Sequence, residues 1–111
     1  MSQFMLLLYD DPSGWEKLSP EEMQKAMEKY MAWSKKPFTL SGKRLAQDPG
    51  RVMRSEGGQP HAKDGPYSET KEVLGGFYMI DAANYDEAVQ RSLDHPHLEH
   101  GTIELRQIFG T

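Results

Sequence analysis

The sequence contains no cysteine, which excludes a disulfide framework, a thiolate metal site and a thiol nucleophile. Long apolar runs are also missing, because the run from Phe4 to Tyr9 is too short for a signal peptide or a spanning helix. No lysine- and arginine-rich block is present and the net charge is −4, which argues against direct nucleic-acid binding. A chain of 111 residues predicts one domain. We therefore expect a single-domain, soluble, cytoplasmic protein whose partners are small molecules or proteins.

Phosphate-binding loops and nucleophile elbows are absent as well. The pairs Gly57-Gly58 and Gly75-Gly76 lack the strand–loop–helix context that aims backbone amides at a phosphate. No serine lies in a strand–turn–helix elbow of the kind that presents a catalytic hydroxyl. The sequence therefore predicts neither a nucleotide cofactor nor a Ser-His-Asp triad.

Histidines cluster near the C-terminus, where His95, His97 and His100 accompany Glu99. Imidazole and carboxylate groups are ligands for zinc and other divalent ions. The step from His95 to His97 passes through Pro96, however, and does not place both imidazoles on one helix face. No second short-spaced ligand pair occurs elsewhere in the sequence. We therefore predict polar loop residues here, and no metal or other cofactor.

Capping sequences and apolar runs define the predicted elements. Ser19 and Glu22 form a capping box around a proline, and Asn84 and Glu87 repeat the pattern before the second helix, which Pro96 ends. Short apolar segments bounded by turn residues predict strands. We predict strands at 4–9, 38–45, 76–82 and 102–109, helices at 19–36 and 84–95, and a small hairpin at 51–63.

This order predicts a ferredoxin-like α+β domain, with two helices on one face of an antiparallel sheet. In that topology the strands at 4–9 and 76–82 are central, and both are apolar at consecutive positions. Consecutive apolar residues point to both faces of a sheet, whereas the helices cover only one. An apolar face left open favours association. We therefore predict a homodimer through the helix-free sheet face.

The most distinctive segment, 64–77, reads DGPYSETKEVLGGF. It resembles the signature of the YCII-related family in its DGPF-domain branch, with Tyr67 where that branch has phenylalanine. The resemblance extends over nearly the whole of residues 1–111. It implies the same dimeric α/β-barrel assembly, and it specifies the fold more firmly than the chemistry.

Asp64 is the first candidate catalytic residue, because the signature centres on it. The functional hypothesis is that a rigid turn presents its carboxylate to a cleft for acid–base chemistry. The structural alternative is that Asp64 only accepts backbone hydrogen bonds in an Asx-type turn before Gly65.

His95 is the second candidate catalytic residue. It precedes Pro96 at a predicted helix C-terminus, where the helix dipole favours a charged imidazolium. Similar His-Pro steps in the family imply a place near Asp64, with helix termination as the alternative. A first-helix histidine paired with an aspartate is proposed elsewhere in the family, but residues 20–36 contain no histidine. His61 or His95 would have to replace it.

Substrate-binding candidates surround the signature. Glu69 and Lys71 point to one side of an extended chain and are predicted to hold a ligand, while Glu72 is predicted to be solvated. Tyr9, Tyr67 and His61 are also expected at the cleft, since ligand pockets combine apolar walls with a few polar groups.

Two functions remain open at this point. The first is a cofactor-independent acid–base enzyme acting on a small molecule, as a lyase, isomerase or hydrolase. The second is a non-catalytic ligand-binding or regulatory module, which the resemblance implies because some family members are encoded with, or joined to, extracytoplasmic-function sigma factors. Fold-level analogy does not choose between them.

Overall fold

The computed structural model describes residues 1–67 and 70–111. Its strands and helices follow the predicted order, with an additional short helix and a 3-10 turn. The strands are β1 (Ser2–Asp10), β2 (Thr39–Arg44), β3 (Arg51–Glu56), β4 (Gln59–Asp64), β5 (Val73–Ala82) and β6 (Gly101–Gln107). The helices are α1 (Pro12–Glu16), α2 (Pro20–Ser34) and α3 (Tyr85–Ser92), and the 3-10 turn spans Pro96–Glu99.

The main sheet has four strands in the order β2-β5-β1-β6, and all of its pairs are antiparallel. The two apolar strands β1 and β5 lie in its centre, as predicted, and β2 lies at an edge. Strands β3 and β4 form a separate two-stranded ribbon with a turn at Gly57-Gly58. The architecture is an α+β fold consistent with the ferredoxin-like prediction.

The hydrophobic core lies between the sheet and the two longer helices. Side chains alternate along β1, so that Phe4, Leu6 and Leu8 face the helices. Trp33 from α2 and Ala88 from α3 belong to the same buried cluster. Both helices therefore cover one face of the sheet, in agreement with the sequence.

The helix starts are built as the sequence predicts. The Ser19 hydroxyl accepts a hydrogen bond from the Glu22 amide, and the Glu22 carboxylate accepts one from the Ser19 amide. The Asn84 side chain caps α3 through the Glu87 amide, whereas the Glu87 carboxylate accepts from the Ala83 amide. The second box is therefore displaced by one residue.

Two local elements differ from the prediction. Residues 10–14, whose proline and glycine are typical of a turn, contribute to the short helix α1, which is capped by the Asp11 side chain. The second long helix ends at Ser92, and Pro96 begins the 3-10 turn with His95 as its N-cap. Proline fits the first position of a helical turn as well as it ends a preceding helix.

None of the helices formed by residues 1–67 and 70–111 covers the opposite face of the sheet. We define this helix-free face by the partly buried side chains Met5, Leu7, Tyr9, Phe77 and Met79, which alternate with the core residues of β1 and β5. In the described part of the chain, no helix is long and apolar enough to cross a membrane.

Candidate functional site

A cleft of about 1480 Å³ opens where the C-terminal end of β1 meets α1, α2 and β2. We call it the Asp10 cleft and define it by five of the residues that line it: Asp10, Trp15, Tyr30, Arg44 and Gly75. Ligand sites are typically concave and mostly apolar, with a small number of polar groups that converge. The cleft has this character, and it is much larger than the shallow depression on the β3–β4 ribbon.

Asp10 is a buried carboxylate at the centre of this arrangement, only 7% exposed. Alternate residues of a strand point to the same face, and Asp10 follows Phe4, Leu6 and Leu8 in this alternation along β1. Its side chain therefore points towards the helix-covered face as well. Its Oδ2 accepts a hydrogen bond of 2.8 Å from Trp15 Nε1. No group within residues 1–67 and 70–111 donates to Oδ1. A buried carboxylate that keeps unused acceptor capacity is a candidate functional group.

Tyr30 and His97 form a second polar pair beside Asp10. The Tyr30 hydroxyl lies 2.7 Å from His97 Nδ1, and His97 Nε2 lies 2.8 Å from the Tyr9 carbonyl oxygen. A carbonyl only accepts, so Nε2 carries the proton, and Nδ1 accepts from the Tyr30 hydroxyl. The pair therefore holds one tautomer of His97 and one direction of the Tyr30 hydroxyl.

Burial keeps both members of this pair uncharged. It raises the pKa of Tyr30, and the nearby Asp10 carboxylate raises that pKa further. Burial also lowers the pKa of His97, although the hydrogen bond to Tyr9 and the charge of Asp10 oppose the effect. At neutral pH the Tyr30–His97 pair is therefore uncharged, and its hydrogen bond fixes the orientation of both side chains.

His95 lies in the core behind this pair and is 2% exposed. Its ring centroid is 4.4 Å from Trp33 and 4.8 Å from Tyr78. Its Nδ1 accepts from the His97 amide, while its buried Nε2 has no hydrogen-bond partner among the described residues. Burial, together with the neighbouring His97, lowers the pKa of His95 to about 4, against the effect of Asp94. The prediction that a helix dipole would favour the charged imidazolium is wrong, because burial dominates.

Acidification is expected to destabilise the fold through these two histidines. In the unfolded chain histidine titrates near pH 6.5. The folded state holds His95 and His97 neutral, so stability is fully present above about pH 6.5 and is lost as the pH falls through the folded values, down to about 4 for His95. His95 alone accounts for a loss of roughly 3 kcal/mol in the free energy of unfolding.

Urea unfolding between pH 7 and pH 4 measures this loss. His95→Asn keeps an acceptor for the His97 amide but removes the titrating ring, so its pH dependence should be flatter than that of the wild type. His61→Asn, on the exposed ribbon, is the matched control and should keep the wild-type slope. A steep slope retained in His95→Asn contradicts the assignment.

Glycines form the floor of the Asp10 cleft. Gly76 of β5 pairs with Leu8 on one side and with Arg44 on the other, and the register with β1 shifts beside Gly75. A Cβ at Gly75 would lie 3.2 Å from Asp10 Oδ2, and a Cβ at Gly76 would lie 2.8 Å from the Lys43 carbonyl oxygen. Both glycines are therefore closely approached, Gly75 by the Asp10 carboxylate and Gly76 by the β2 backbone, and a larger residue at Gly76 would force the Lys43 carbonyl to shift.

Arg44 stands at the β2 side of this floor. Its guanidinium carbon lies 5.8 Å from the centroid of the Trp15 ring, within range of a cation–π contact. Its Nη1 donates to Met27 Sδ at 3.4 Å. Arg44 forms none of the ion pairs found among the described residues. Among the described residues, the Arg44 guanidinium therefore contacts the Trp15 ring and the Met27 sulfur but no carboxylate.

The two predicted catalytic residues are not brought together. Asp64 ends β4 with its side chain 82% exposed, and its Oδ1 lies 3.5 Å from Arg51 Nε in the same ribbon. The ring neighbours of His95 come instead from α2, β5 and the 3-10 turn. His61 is exposed on β4, beside the depression in the ribbon. None of these three residues lines the Asp10 cleft.

Two of the predicted substrate-binding residues do line the Asp10 cleft. Tyr67 is exposed at its rim, with the Arg54 guanidinium carbon 5.2 Å from its ring centroid. Tyr9 also lines it, although its hydroxyl donates to Glu104 on β6. Lys71 is exposed and does not line the cleft. The prediction for Glu69 falls outside the described residues.

The corner of the DGPY signature has a close-packing role. The Gly65 amide donates to the Gly50 carbonyl at 3.1 Å, and a Cβ at Gly65 would lie 2.0 Å from the Pro49 carbonyl oxygen. Glycine is therefore required there by the approach of another backbone segment. Pro66 and Tyr67 then pass along the cleft.

No group of three or more His, Asp or Glu side chains within the described ranges is arranged to hold a metal ion. Both ring nitrogens of His97 are engaged with Tyr30 and Tyr9. What the arrangement offers instead is a carboxylate, a hydroxyl and a guanidinium around an aromatic-walled cleft.

The sequence did not predict that one cleft would be lined by Asp10, Trp15, Tyr30, His97 and Arg44. One signal was available: Asp10 continues the inward alternation of the first strand, and a carboxylate in that position is unusual. Trp15 bonds Asp10 from only five residues away, whereas Tyr30 and His97 meet across a separation of 67 residues.

Comparison with known proteins gives two findings. The family model of the YCII-related domain matches residues 2–110. An uncharacterised protein of Rhizobium meliloti is 34% identical over 113 aligned residues, which cover 95% of this chain and 90% of that protein.

Proposed function

Since the chain belongs to the YCII-related domain family, we propose that it acts on a small molecule in the Asp10 cleft as a cofactor-independent acid–base enzyme. The observation that carries the proposal is the buried Asp10 carboxylate, with Oδ2 engaged by Trp15 and Oδ1 open to a bound molecule. Buried carboxylates in clefts are favoured positions for proton transfer. We also assign the chain to the DGPF-domain branch on the strength of the DGPY signature at 64–67.

In the proposed reaction Asp10 is the catalytic residue. Its Oδ1 forms an O–H bond with a substrate proton, and the electron pair of the broken bond stays on the substrate. The same proton then returns to a different substrate atom, or to a leaving group, so that no oxidant or reductant is needed. Trp15 fixes the carboxylate through its indole N–H, and the Tyr30–His97 pair positions the wall of the cleft.

A metabolite screen tests this function. Thermal shift against a library identifies compounds that bind, since a ligand that binds only the folded state raises its stability. Mass analysis after incubation then shows whether each hit is converted. Conversion by the wild type supports the enzyme. Binding without conversion would support the alternative, a non-catalytic ligand-binding or regulatory module linked to sigma-factor control.

We further propose that the protein is a homodimer through its helix-free face. The centre of this face is apolar, with Leu7 paired in register with Phe77 on β5, and charged residues such as Glu104 lie towards β6. An apolar centre with a polar rim is the usual composition of a protein interface. Burial of such a face contributes a favourable free energy of about 25 cal/mol per Å² of apolar surface. The entropic cost of association must be subtracted from this contribution.

Leu7→Asp is expected to convert the dimer to monomers, because it places a charge at the centre of the interface, next to Glu104. The matched control is Leu93→Asp, which alters an exposed leucine just after α3 and should leave the dimer intact. Light scattering at micromolar concentration gives the mass of each variant. A monomeric wild type would contradict the proposed interface.

A further inference from the structure

We propose that the ligand of the Asp10 cleft is a small organic carboxylate, held by the Arg44 guanidinium across the glycine floor from Asp10. This inference rests on the proposed function, because it takes the Asp10 cleft as the ligand site, and it adds the chemical class of the ligand. The supporting observation is that the Arg44 guanidinium and the Asp10 carboxylate both contact the Trp15 indole. Arg44 and Asp10 do not pair with each other in any ion pair formed by the described residues.

Trp15 sets the relation between the two charges. Its Nε1 donates to Asp10 at 2.8 Å, and its ring contacts the Arg44 guanidinium carbon at 5.8 Å from the centroid. The indole therefore binds the Asp10 carboxylate through its N–H and contacts the Arg44 guanidinium through its π system. A guanidinium presents several N–H donors in a plane, and carboxylates match that geometry with two parallel hydrogen bonds. Of these donors, only Nη1 has a hydrogen-bond partner among the described residues, the Met27 sulfur.

Gly75 and Gly76 both line the cleft between these two groups. Gly76 is the strand partner of both Arg44 and Leu8, and Gly75 lies against Asp10. No side chain rises from either glycine. A ligand that spans the cleft from Arg44 to Asp10 would therefore meet the backbone of β5 rather than a side chain at these two positions.

Charge decides the orientation of such a molecule. A ligand carboxylate beside Asp10 would meet a like charge in a partly desolvated site, whereas beside Arg44 it meets an unpaired cation. The anionic end therefore belongs at Arg44, and the neutral end that carries the transferable hydrogen belongs at Asp10. Trp15 and Tyr30 supply aromatic walls, which favour an unsaturated or aromatic ligand.

Among the described residues, two other cations line the cleft, Lys43 and Arg51, but they fit this role less well. Arg51 pairs with Asp64 at 3.5 Å and is exposed. Lys43 is the strand partner of Phe77, so the alternation along β2 sends it towards the helix-free face. Arg44 is the cation that shares the helix-covered side with Asp10.

Calorimetric titration with benzoate and with benzamide, its neutral counterpart, tests the proposal. Wild-type protein should bind benzoate at least about tenfold more tightly than benzamide, since a charge-assisted bidentate contact is lost in the amide. Arg44→Met should remove this preference, and Arg44→Lys should retain part of it. Lys25→Met, which also removes one positive charge but lies exposed on α2 outside the cleft, is the matched control and should bind benzoate as the wild type does.

Equal binding of benzoate and benzamide, no detectable benzoate binding at millimolar concentration, or an Arg44→Met variant with wild-type preference would each overturn the carboxylate proposal. Circular dichroism confirms that each variant is folded. The proposed acid–base function is judged separately, by conversion of screened compounds. Conversion of a neutral substrate by the wild type would contradict the carboxylate proposal and support the acid–base enzyme. Arg44-dependent benzoate binding without conversion of any compound would support the carboxylate proposal and contradict the enzyme.

Discussion

Gly101→Ala is expected to lower the free energy of unfolding by about 2–4 kcal/mol. This value is the sum of the cost of overpacking and the cost of losing a buried hydrogen bond. A Cβ at this position would lie 2.0 Å from the Tyr9 carbonyl oxygen and 3.0 Å from His97 Nε2. That carbonyl accepts the hydrogen bond that fixes the His97 ring, and Gly101 itself pairs with Asp10 at the start of β6. The added methyl group must therefore displace the β1–β6 pairing at the site.

Gly14→Ala is the matched control, because a Cβ there meets nothing within 4 Å and the residue lies inside α1. It should be neutral or slightly stabilising, as alanine is the better helix former. Urea unfolding at neutral pH gives both values. A Gly101→Ala variant as stable as Gly14→Ala would show that the close approach of β6 to Tyr9 is not maintained in solution.

Much of the fold was predictable because its signals are local. The Ser19–Glu22 capping box fixes the start of α2 within four residues. The consecutive apolar residues of β1 and β5 correctly predicted the two central strands. The short helix α1 was missed because its proline and glycine are equally typical of a turn.

The candidate site was less predictable because its members are distant in sequence. His97 meets Tyr30 and the Tyr9 carbonyl through separations of 67 and 88 residues. Burial, which holds His95 and His97 neutral, depends on the packing of α2 against β5 and the 3-10 turn. The cluster of histidines therefore drew attention to metal binding and helix dipoles, although tertiary contacts determine its properties.

The signature at 64–67 was predicted as the source of the catalytic carboxylate. In the structure its glycine is required by the Pro49 backbone, and its aspartate pairs with Arg51 on the ribbon. We infer that the corner contributes to the cleft mainly through Pro66 and Tyr67, which line it.

Asp10→Asn is expected to lower turnover of a converted compound by about 10²- to 10⁴-fold, the usual contribution of a general acid or base. Asparagine has nearly the same shape and keeps an oxygen acceptor for Trp15 Nε1 at the position of Oδ2. The variant should therefore remain folded, with its cleft intact, while losing the group that accepts the proton. Binding of the compound should persist, so that the defect lies in the conversion step.

The most direct test of the Asp10 cleft as the functional site is a turnover assay that compares Asp10→Asn with Asp64→Asn on the same compound from the metabolite screen. The two variants make the same chemical change, one at a buried cleft carboxylate and one at an exposed carboxylate of the ribbon. We expect Asp10→Asn to lose conversion and Asp64→Asn to retain the wild-type rate. Loss of conversion in Asp64→Asn, with wild-type turnover in Asp10→Asn, would contradict the account and place the chemistry at the signature.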